Sequence, residues 1–345
     1  MNGPLRWGIL GTGNIARQFC GAMRTSQRGV LAAVASRSAE NAAAFARDHS
    51  IPAAYGGYDA LLADATVDAV YVSLPNSLHR DWTIRALRAG KHVLCEKPIA
   101  VDACQASEMF DAAKQAGRVL AEAFMYRSHP LTDAALNEIR RGAIGQVKLI
   151  RTSFCYRTTK IAGNIRFDAR LAGGALMDIG CYCISLSRLV AGCEPEAVHA
   201  VGILHESGVD ELSAGVMRFA GGLVASFTCG MTAQADNTAY ICGTEGYIEV
   251  PVPWKPPMKQ AAYIIAHGTP PRMDGVAKPA PPPRELRTVD ADRDLYALEA
   301  DEFAAAVLDG TPPRVSRDDS VGNMRVLDEM RRQIGVRLCA SPQQP

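Results

Sequence analysis

Short apolar runs alternate with stretches of helical periodicity over the first third of the chain. The predicted strands are residues 5–10, 30–35, 67–74, 92–95 and 119–123. Between them, apolar residues recur at helical spacing, as at Ile15, Phe19 and Met23. Ser38 and Asp102 stand where a side chain can cap a helix N-terminus. This strand–helix alternation predicts a parallel sheet with helices on both faces.

A different pattern follows residue 125. Residues 147–156 and 223–231 are strand-like, and in the latter every second residue is apolar, the period of a sheet with two different faces. Gly221-Gly222 and residues 243–246 predict two hairpin turns, which favour an antiparallel sheet. Apolar side chains along such strands predict a homodimer or higher homo-oligomer built on one sheet face, because a sheet covered by helices on one side must bury or solvate the other.

Residues 251–283 hold half of the chain's 20 prolines, which predicts loop or edge structure rather than a core helix. Helical patterns around 295–308 and 321–334 follow. The predicted fold is therefore α/β. A Rossmann dinucleotide-binding domain over residues 1–124 precedes an α+β domain over residues 125–345, built on an open, mostly antiparallel sheet.

The composition is that of an ordinary globular protein. Among 345 residues, 37 Lys and Arg against 36 Asp and Glu give a net charge of +1, which argues against a dedicated nucleic-acid or membrane-surface protein. We find no apolar stretch that approaches membrane-spanning length, and Leu5 follows the N-terminus too closely for a signal peptide. A cytoplasmic protein without nucleic-acid or membrane partners is expected.

Ten cysteines are scattered along the chain, mostly in apolar contexts. Cys181 and Cys183 are the closest pair, but helix positions two apart do not face each other. The pattern predicts buried, reduced thiols and no metal site.

A glycine-rich run follows the first strand and opens the first helix. Its residues are Gly11, Thr12, Gly13, Asn14, Ile15 and Ala16. The first glycine permits a tight turn, the second lets the backbone approach a pyrophosphate, and the small Ala16 allows close helix–strand packing. Many loops contain such a run by chance, but its place at a strand-to-helix junction favours dinucleotide binding.

Ser36 and Arg37 end the second strand, where an NAD site usually has an acidic residue that binds the ribose 2′-hydroxyl. A guanidinium and a hydroxyl can instead hold a 2′-phosphate. Arg37 could also be a solvated surface charge. The glycine run favours the phosphate interpretation, hence NADP(H), with NAD(H) as the alternative.

Glu96-Lys97-Pro98 follows a predicted strand, and ligands of open parallel sheets bind beyond the carboxyl ends of strands. Lys97 is therefore aimed near the cofactor, although a solvated strand-end lysine is the commoner case. Asp178 and Tyr182 are four residues apart on an apolar helical stretch, so they would share a helix face. Tyr182 could equally be a core tyrosine and Asp178 a helix cap.

These motifs together resemble the Gfo/Idh/MocA oxidoreductases. The resemblance rests on the glycine run, Glu96-Lys97-Pro98, Gly173-Gly174…Asp178…Tyr182, Leu74-Pro75-Asn76-Ser77-Leu78-His79 and the hairpin Gly243-Thr244-Glu245-Gly246. It extends over nearly the whole chain and implies a Rossmann domain followed by an open-sheet domain that commonly builds dimers. Tyrosine at 182, where many members have histidine, looks like the dimeric dihydrodiol dehydrogenase and glucose–fructose oxidoreductase branch.

The resemblance also implies roles for individual residues. Lys97 would contact the reacting oxygen, and Arg166 would contact the cofactor. The implied cofactor-binding set includes Leu74, Pro75, Asn76, His79, Glu96, Lys97 and Arg166. Tyr182 would be the proton donor, Lys97 would stabilise the oxyanion and lower the pKa of the phenol, and Asp178 would orient the site.

The predicted function is NADP(H)-dependent hydride transfer to or from a sugar, polyol or dihydrodiol-type hydroxyl or carbonyl. One alternative is a glycosidase of the same fold that uses bound NAD transiently, but Arg37 favours NADP chemistry. Another is a non-catalytic NADP-sensing regulatory protein, against which the Lys97 and Tyr182 pair argues.

Overall fold

The N-terminal domain is a parallel sheet covered by helices on both faces. The computed structural model describes residues 3–268 and 283–336. The strands are β1 (Leu5–Leu10), β2 (Gly29–Ala35), β3 (Ala53–Tyr55), β4 (Ala69–Val72), β5 (His92–Glu96) and β6 (Leu120–Ala123). The helices are α1 (Asn14–Ala22), α2 (Ala39–His49), α3 (Tyr58–Leu62), α4 (His79–Arg88) and α5 (Ala103–Ala116). The strand order β3-β2-β1-β4-β5-β6 confirms the predicted Rossmann arrangement.

Local sequence signals explain the boundaries of these elements. The Ser38 side chain accepts a hydrogen bond from the Asn41 backbone N–H, and Asp102 accepts one from the Gln105 N–H, so both predicted caps are confirmed. Every residue of β4, β5 and β6 is buried, as expected for strands packed on both faces. The carboxyl ends of these strands are therefore fixed in position by the core.

The C-terminal domain is built on an eight-stranded sheet. Its strands are β7 (Val147–Cys155), β8 (Ala197–Leu204), β9 (Asp210–Arg218), β10 (Val224–Gly230), β11 (Ala239–Gly243), β12 (Gly246–Val250), β13 (Ala261–His267) and β14 (Arg284–Val289). Its helices are α6 (Pro130–Arg140), α7 (Cys181–Ala191), α8 (Leu295–Leu308) and α9 (Arg317–Gln333). The order is β14-β13-β12-β11-β7-β10-β9-β8. Among these described strands β7 and β10 pair in parallel and the other neighbours are antiparallel, which confirms the mostly antiparallel sheet and both hairpins.

The prediction of loop or edge structure for the proline-rich segment is wrong for residues 261–267. They form β13, an internal strand paired with β12 on one side and β14 on the other. No proline lies within β13, so each of its N–H groups is available to the ladder. The prolines of residues 251–257 lie in the preceding loop. Residues 269–282 lie outside the described part of the chain.

The last two helices join the domains. Helix α8 packs against α1 and helix α9 against α5. Asp301 on α8 accepts hydrogen bonds from the Ser26 hydroxyl at 2.5 Å and from the Gln27 and Arg28 backbone N–H groups, each at 3.0 Å. The C-terminal helices therefore fix the second domain against the first.

Residues 169–191 form one helical run that is long and apolar enough to cross a membrane, contrary to the expectation from the sequence. However, 78% of its apolar window is buried within the protein. Such burial is typical of a core helix, because the sheet and neighbouring helices cover its apolar side chains.

One face of the large sheet is partly apolar and exposed. Its side chains come from the adjacent strands β8, β9, β10 and β7: Val201, Ile203, Val216, Val224 and Leu149. Val201 is 73% exposed and Ile203 55%. We call these five residues the open sheet face. The alternate residues Ala225, Phe227 and Cys229 of β10 are buried on the other face, as the period-two pattern predicts.

Candidate active site

The glycine run forms a cradle between β1 and α1. Gly11 has a φ of +103°, and a Cβ there would lie 3.0 Å from the Ser73 carbonyl oxygen, so a larger residue would be strained. Nothing lies within 4 Å of a Cβ built on Gly13. Helix α1, which is wholly within the described residues, has neither a side-chain cap nor an acidic residue in its first turn. Its free N–H groups fit a dinucleotide pyrophosphate, and residues 11–15 would hold it.

Ser36 and Arg37 lie at the carboxyl end of β2, as predicted. Ser36 is buried, and its hydroxyl accepts a hydrogen bond from the Ser38 N–H at 3.4 Å. Arg37 is exposed, and within residues 3–268 and 283–336 no carboxylate pairs with it. Burial raises the pKa of the neighbouring Tyr58, and the charge of Arg37 opposes that rise. Arg37 therefore remains available for a 2′-phosphate.

The loop after β4 connects the two domains. Residues 74–76 follow β4, and the Asn76 side chain donates to the Ala172 carbonyl oxygen at 2.9 Å. Ala172 lies just before Gly173-Gly174, so this contact joins two of the recognised motifs. Leu74, Pro75 and Asn76 thus lie at the sheet edge where the resemblance places cofactor-binding residues.

His79 is enclosed between two loops, and a direct contact of its side chain with the cofactor stays a prediction. The ring is completely buried at 0% exposure. Its Nδ1 lies 2.9 Å from the Pro98 carbonyl oxygen and its Nε2 lies 2.8 Å from the Leu74 carbonyl oxygen. Because both ring nitrogens face backbone carbonyls, His79 connects the loop after β4 to the loop that carries Lys97.

Glu96 points into the first domain. Its carboxylate accepts hydrogen bonds from the Tyr71 hydroxyl and from the Lys97 backbone N–H. Burial raises the pKa of Glu96. On the other side of the same loop, the Glu122 carboxylate accepts from the Ile99 N–H at 2.9 Å. Glu96 and Glu122 therefore hold the backbone on either side of Lys97, and a direct cofactor contact of Glu96 stays a prediction.

Lys97 and Asp178 meet in the cleft between the domains. The Lys97 Nζ lies 2.5 Å from the Asp178 carbonyl oxygen and 3.4 Å from its Oδ1. The Asp178 Oδ2 accepts from the Tyr156 hydroxyl and the Arg166 Nε, each at 2.8 Å. Arg166, the predicted cofactor contact, is thus bound to Asp178 through one edge of its guanidinium.

The opposite charges of Lys97 and Asp178 each favour the ionised form of the other residue. Burial alone would raise the pKa of Asp178, but the Lys97 and Arg166 charges outweigh it, and the net shift is downward. Burial alone would lower the pKa of Lys97, but Asp178 foremost, together with Cys181 and Glu96, outweighs it, and the net shift is upward. At neutral pH the site therefore contains an ammonium and a carboxylate.

Tyr182 is buried among aromatic rings. The rings of Phe124, Phe154 and Trp254 meet it at centroid distances of 5.2, 5.4 and 5.9 Å. Its hydroxyl donates to the Met125 sulfur at 3.3 Å, and the Lys97 Nζ lies 5.0 Å from its ring centroid. Lys97 therefore faces the ring of Tyr182 and is not hydrogen-bonded to its oxygen.

The prediction that Lys97 lowers the pKa of Tyr182 is wrong. Burial, followed by the negative charge of Glu96, raises the pKa of Tyr182 well above 10. A phenolate at this depth would lose its hydration, and a cation over the ring face does not compensate for that loss. Tyr182 is therefore a neutral phenol in this site.

The predicted α-helical face shared by Asp178 and Tyr182 is interrupted by a π-helical turn. Leu176–Gly180 is a π-helical turn that continues into α7, so the four-residue spacing of an α-helix does not apply across it. The Asp178 carboxylate consequently bonds Tyr156 and Arg166, whereas the Tyr182 hydroxyl bonds Met125. Both residues still contact Lys97, so the predicted trio of Lys97, Asp178 and Tyr182 lies in one site.

Several residues of the site carry no recognisable signal in the sequence. Tyr156 follows β7, and Trp254 lies in the proline-rich segment. Trp254 stacks on Phe154 at a centroid distance of 5.6 Å, and its indole N–H donates to the Ser153 carbonyl oxygen at 2.8 Å. Strand alternation could have placed Phe154 on one face of the sheet, but only the folded chain brings Trp254 to it.

Two further predictions concern metals and thiols. Within the described residues, no three His, Cys, Asp or Glu side chains are grouped so as to hold a metal ion. The nine cysteines of the described residues are free thiols, and six of them are buried. The pKa of Cys181, next to Tyr182, is raised by burial, so it is not an activated thiolate.

Comparison with known proteins agrees with this geometry. A D-xylose 1-dehydrogenase (NADP(+)) from Haloferax volcanii is 37% identical over 94% of this chain and 95% of that protein. A trans-1,2-dihydrobenzene-1,2-diol dehydrogenase from Xenopus tropicalis is 34% identical over 96% and 98%. The crystal structure of a 3-ketoreductase from Actinomadura kijaniata with NADP and TDP-benzene superposes with a TM-score of 0.85, at 32% identity over 96% of this chain and 98% of that chain.

Both domains also match family models. Residues 5–124 match an oxidoreductase family with an NAD-binding Rossmann fold, and residues 133–249 match the GFO/IDH/MocA C-terminal domain. The first range contains the glycine cradle and Lys97, and the second contains Asp178 and Tyr182. The residues that meet in the cleft are thus supplied by both matched domains, and the chain belongs to the Gfo/Idh/MocA family of oxidoreductases.

Proposed function

We propose that this member of the family transfers a hydride between NADP(H) and a hydroxyl or carbonyl group of a sugar, polyol or dihydrodiol. Its relatives are dehydrogenases and reductases, and its first domain is of the NAD-binding type. The observation that carries the proposal is the Lys97 ammonium, held by Asp178 beside the neutral phenol of Tyr182 at the carboxyl end of β5.

The aromatic rings next to Lys97 support a ring-shaped, hydroxylated substrate. Aromatic rings of Tyr182, Phe154 and Trp254 pack against one another there. Flat aromatic faces bind the C–H faces of sugar and cyclohexadiene rings, while a few polar groups fix the hydroxyls. The names of the D-xylose and dihydrodiol dehydrogenase relatives support the same substrate class.

The preference for NADP rests on Ser36 and Arg37. Arg37 is exposed at the end of β2, where a 2′-phosphate would lie if the dinucleotide bound across the glycine cradle. A guanidinium binds phosphate through charge-assisted hydrogen bonds. The xylose dehydrogenase relative is named for NADP(+), and the similar 3-ketoreductase structure contains NADP, which support this choice.

Lys97, Tyr182 and Asp178 would each have a separate role in the reaction. The bound nicotinamide supplies or accepts the hydride. During reduction, negative charge develops on the substrate oxygen, and the Lys97 ammonium stabilises it. The Tyr182 phenol donates a proton to that oxygen, for which its hydroxyl must leave Met125; a thioether sulfur is a weak acceptor, so little is lost. Asp178 keeps Lys97 charged and oriented. During oxidation the same groups act in reverse.

We also propose that the open sheet face forms a homodimer interface. Val201, Ile203, Val216, Val224 and Leu149 lie on four neighbouring strands and remain exposed in the single chain. A contiguous apolar surface of this kind is unusual for a monomer. Pairing with a second copy would remove it from water.

The function is tested by incubating the purified protein with NADP and NAD, each with a panel of aldoses, keto-sugars and trans-dihydrodiols, and following nicotinamide absorbance. Reduction of NADP by at least one hydroxylated substrate, absent from the Lys97→Ala protein, is expected. Hydrolysis of glycosides without net nicotinamide reduction would favour the glycosidase alternative. Tight NADP binding without turnover of any compound in the panel would favour the regulatory alternative.

A further inference from the structure

A lysine of the second domain reaches the cofactor helix of the first. Lys255 follows Trp254 in the loop between β12 and β13. Its Nζ lies 3.1 Å from the Gln18 Oε1 on α1 and 5.8 Å from the ring centroid of Tyr296. Tyr296 donates to the same Gln18 oxygen at 3.3 Å. Gln18 and Tyr296 thus hold the ammonium group against α1.

The electrostatic surroundings of Lys255 are those of the candidate active site. The pKa of Lys255 is lowered, by partial desolvation first and then by the charges of Lys97 and Arg166. The carboxylates of Glu96 and Asp178 oppose this shift. Asp178 is already bound to Lys97 and Arg166, and Glu96 to Tyr71. Over the residues that the structure describes, no carboxylate lies within ion-pair distance of the Lys255 ammonium. Lys255 is exposed, so its ammonium is a cation at the open side of the cleft that no carboxylate of the described residues pairs with.

The position of Gln18 indicates where a balancing anion would lie. Gln18 stands on α1, whose first residue is Asn14. Helical side chains lean toward the helix N-terminus, so the Gln18 amide and the ammonium bound to it lie toward the first turn. That turn carries the free N–H groups of the glycine cradle, to which a pyrophosphate binds. The ammonium and these N–H groups would approach the same anion from two domains.

We propose that Lys255 is a cofactor-binding residue that the second domain supplies. Its ammonium pairs with the pyrophosphate of the dinucleotide, on the side opposite the α1 N-terminus. This inference rests on the proposed function, since it assumes that the glycine cradle holds a dinucleotide. It assigns Lys255 to a part of the ligand that NADP and NAD share, whereas Arg37 serves the 2′-phosphate alone.

The experiment measures dissociation constants by fluorescence titration, without turnover. The variants are Lys255→Met, Lys255→Arg and, as matched control, Lys259→Met, which removes a lysine of the same loop that pairs with Asp290 at the surface. Lys255→Met should weaken NADP and NAD alike by about tenfold or more, the effect of losing one charge-assisted contact. Lys255→Arg should retain most affinity, and the control should match the wild type.

A second ligand, adenosine 2′-monophosphate, lacks the pyrophosphate and should bind the wild type and Lys255→Met equally. Arg37→Ala should weaken it. Unchanged NADP affinity in Lys255→Met would overturn the inference. The inference would also be overturned if Lys255→Met kept its cofactor affinity and raised KM for acidic sugars only. The ammonium would then bind the substrate and not the cofactor. If the wild type bound neither dinucleotide, the proposed function itself would fail, and that outcome is distinguishable from the others.

Discussion

The ammonium of Lys97 and the carboxylate of Asp178 join the two domains at the cleft. Lys97 directly follows β5 of the first domain, Asp178 lies in the π-helical turn of the second, and their closest charged atoms are 3.4 Å apart. Their side chains are 13% and 15% exposed. Such an ion pair is weakly screened by solvent, so each residue fixes the charge of the other.

Lys97 and Tyr182 should act as a unit in catalysis. Lys97→Ala is expected to lower kcat by about 10²-fold or more, because the developing oxyanion loses its cation, while NADP affinity stays within several-fold. Tyr182→Phe should lower kcat strongly and stability little, since its hydroxyl bonds only the Met125 sulfur among described residues. The double variant should be scarcely slower than the poorer single variant. Steady-state kinetics would measure this cycle.

Tyr126→Phe is the matched control for Tyr182→Phe. The Tyr126 hydroxyl is buried against the Ser185 hydroxyl, and its ring packs against Tyr182. Removing it should affect stability more than kcat. If Tyr182→Phe retained most activity and Tyr126→Phe did not, Tyr182 would be a core tyrosine and not the proton donor.

Asp178→Asn should move the alkaline limit of activity to lower pH. The Asp178 carboxylate holds the pKa of Lys97 above its ordinary value against the effect of burial. Without that carboxylate, burial dominates and the pKa of Lys97 falls. The ammonium is then lost as pH rises through a lower value than in the wild type. The pH profile of kcat/KM would reveal the shift, and an unchanged profile would show that Lys97 does not titrate in the rate.

The folding stability that Asp178 contributes should be lost at acidic pH, whereas its effect on activity concerns the alkaline limit. Its pKa is lowered in the folded protein, so its contribution is present above its unfolded value of about 4 and is lost as pH falls below it. Denaturant unfolding of the wild type at neutral and acidic pH should therefore show a larger loss than unfolding of Asp178→Asn. Equal losses in both proteins would show that Asp178 is not the responsible carboxylate.

His79→Leu should destabilise the protein by about 1–3 kcal/mol, because the neutral ring donates its one N–H to a buried carbonyl oxygen, that of Leu74 or that of Pro98, and this oxygen loses its donor. It should also raise the Kd for NADP and lower kcat, since both loops lose their common support. His267→Leu, at an exposed position on β13, is the control. Destabilisation without any kinetic change would limit His79 to a structural role.

Arg37→Asp should reduce NADP affinity by about 1.5–3 kcal/mol, the value of a hydrogen bond to a charged group, and should disturb NAD much less. Arg47→Asp, which changes the charge of an exposed residue on α2, should alter neither affinity greatly. Titration of both cofactors would show this difference. Equal wild-type affinities for NADP and NAD would contradict the assignment of Arg37 to the 2′-phosphate.

Val201→Asp should convert the proposed homodimer to a monomer, because a carboxylate would have to be buried without a partner in the apolar interface. Sedimentation at micromolar concentration would measure the change. Val30→Asp changes a similarly exposed valine on β2, outside the open sheet face, and should leave the assembly intact. A wild-type protein that sediments as a stable monomer would refute the interface.

The sequence alone predicted those features that depend on residues close together along the chain. The glycine cradle, the caps at Ser38 and Asp102, and the alternation of buried residues in β10 were all predicted correctly. Each depends on local backbone geometry or on the period of one element. The position of Lys97 is also predictable, because parallel strands bring their carboxyl ends to one edge of the sheet.

The tertiary structure decided the charges and partners inside the cleft. Burial reversed the predicted pKa shift of Tyr182, and the π-helical turn separated the partners of Asp178 from those of Tyr182. The site also includes Tyr156 and Lys255, which belong to distant segments. A pKa depends on desolvation and on every nearby charge, and both are sums over residues that only the folded chain brings together.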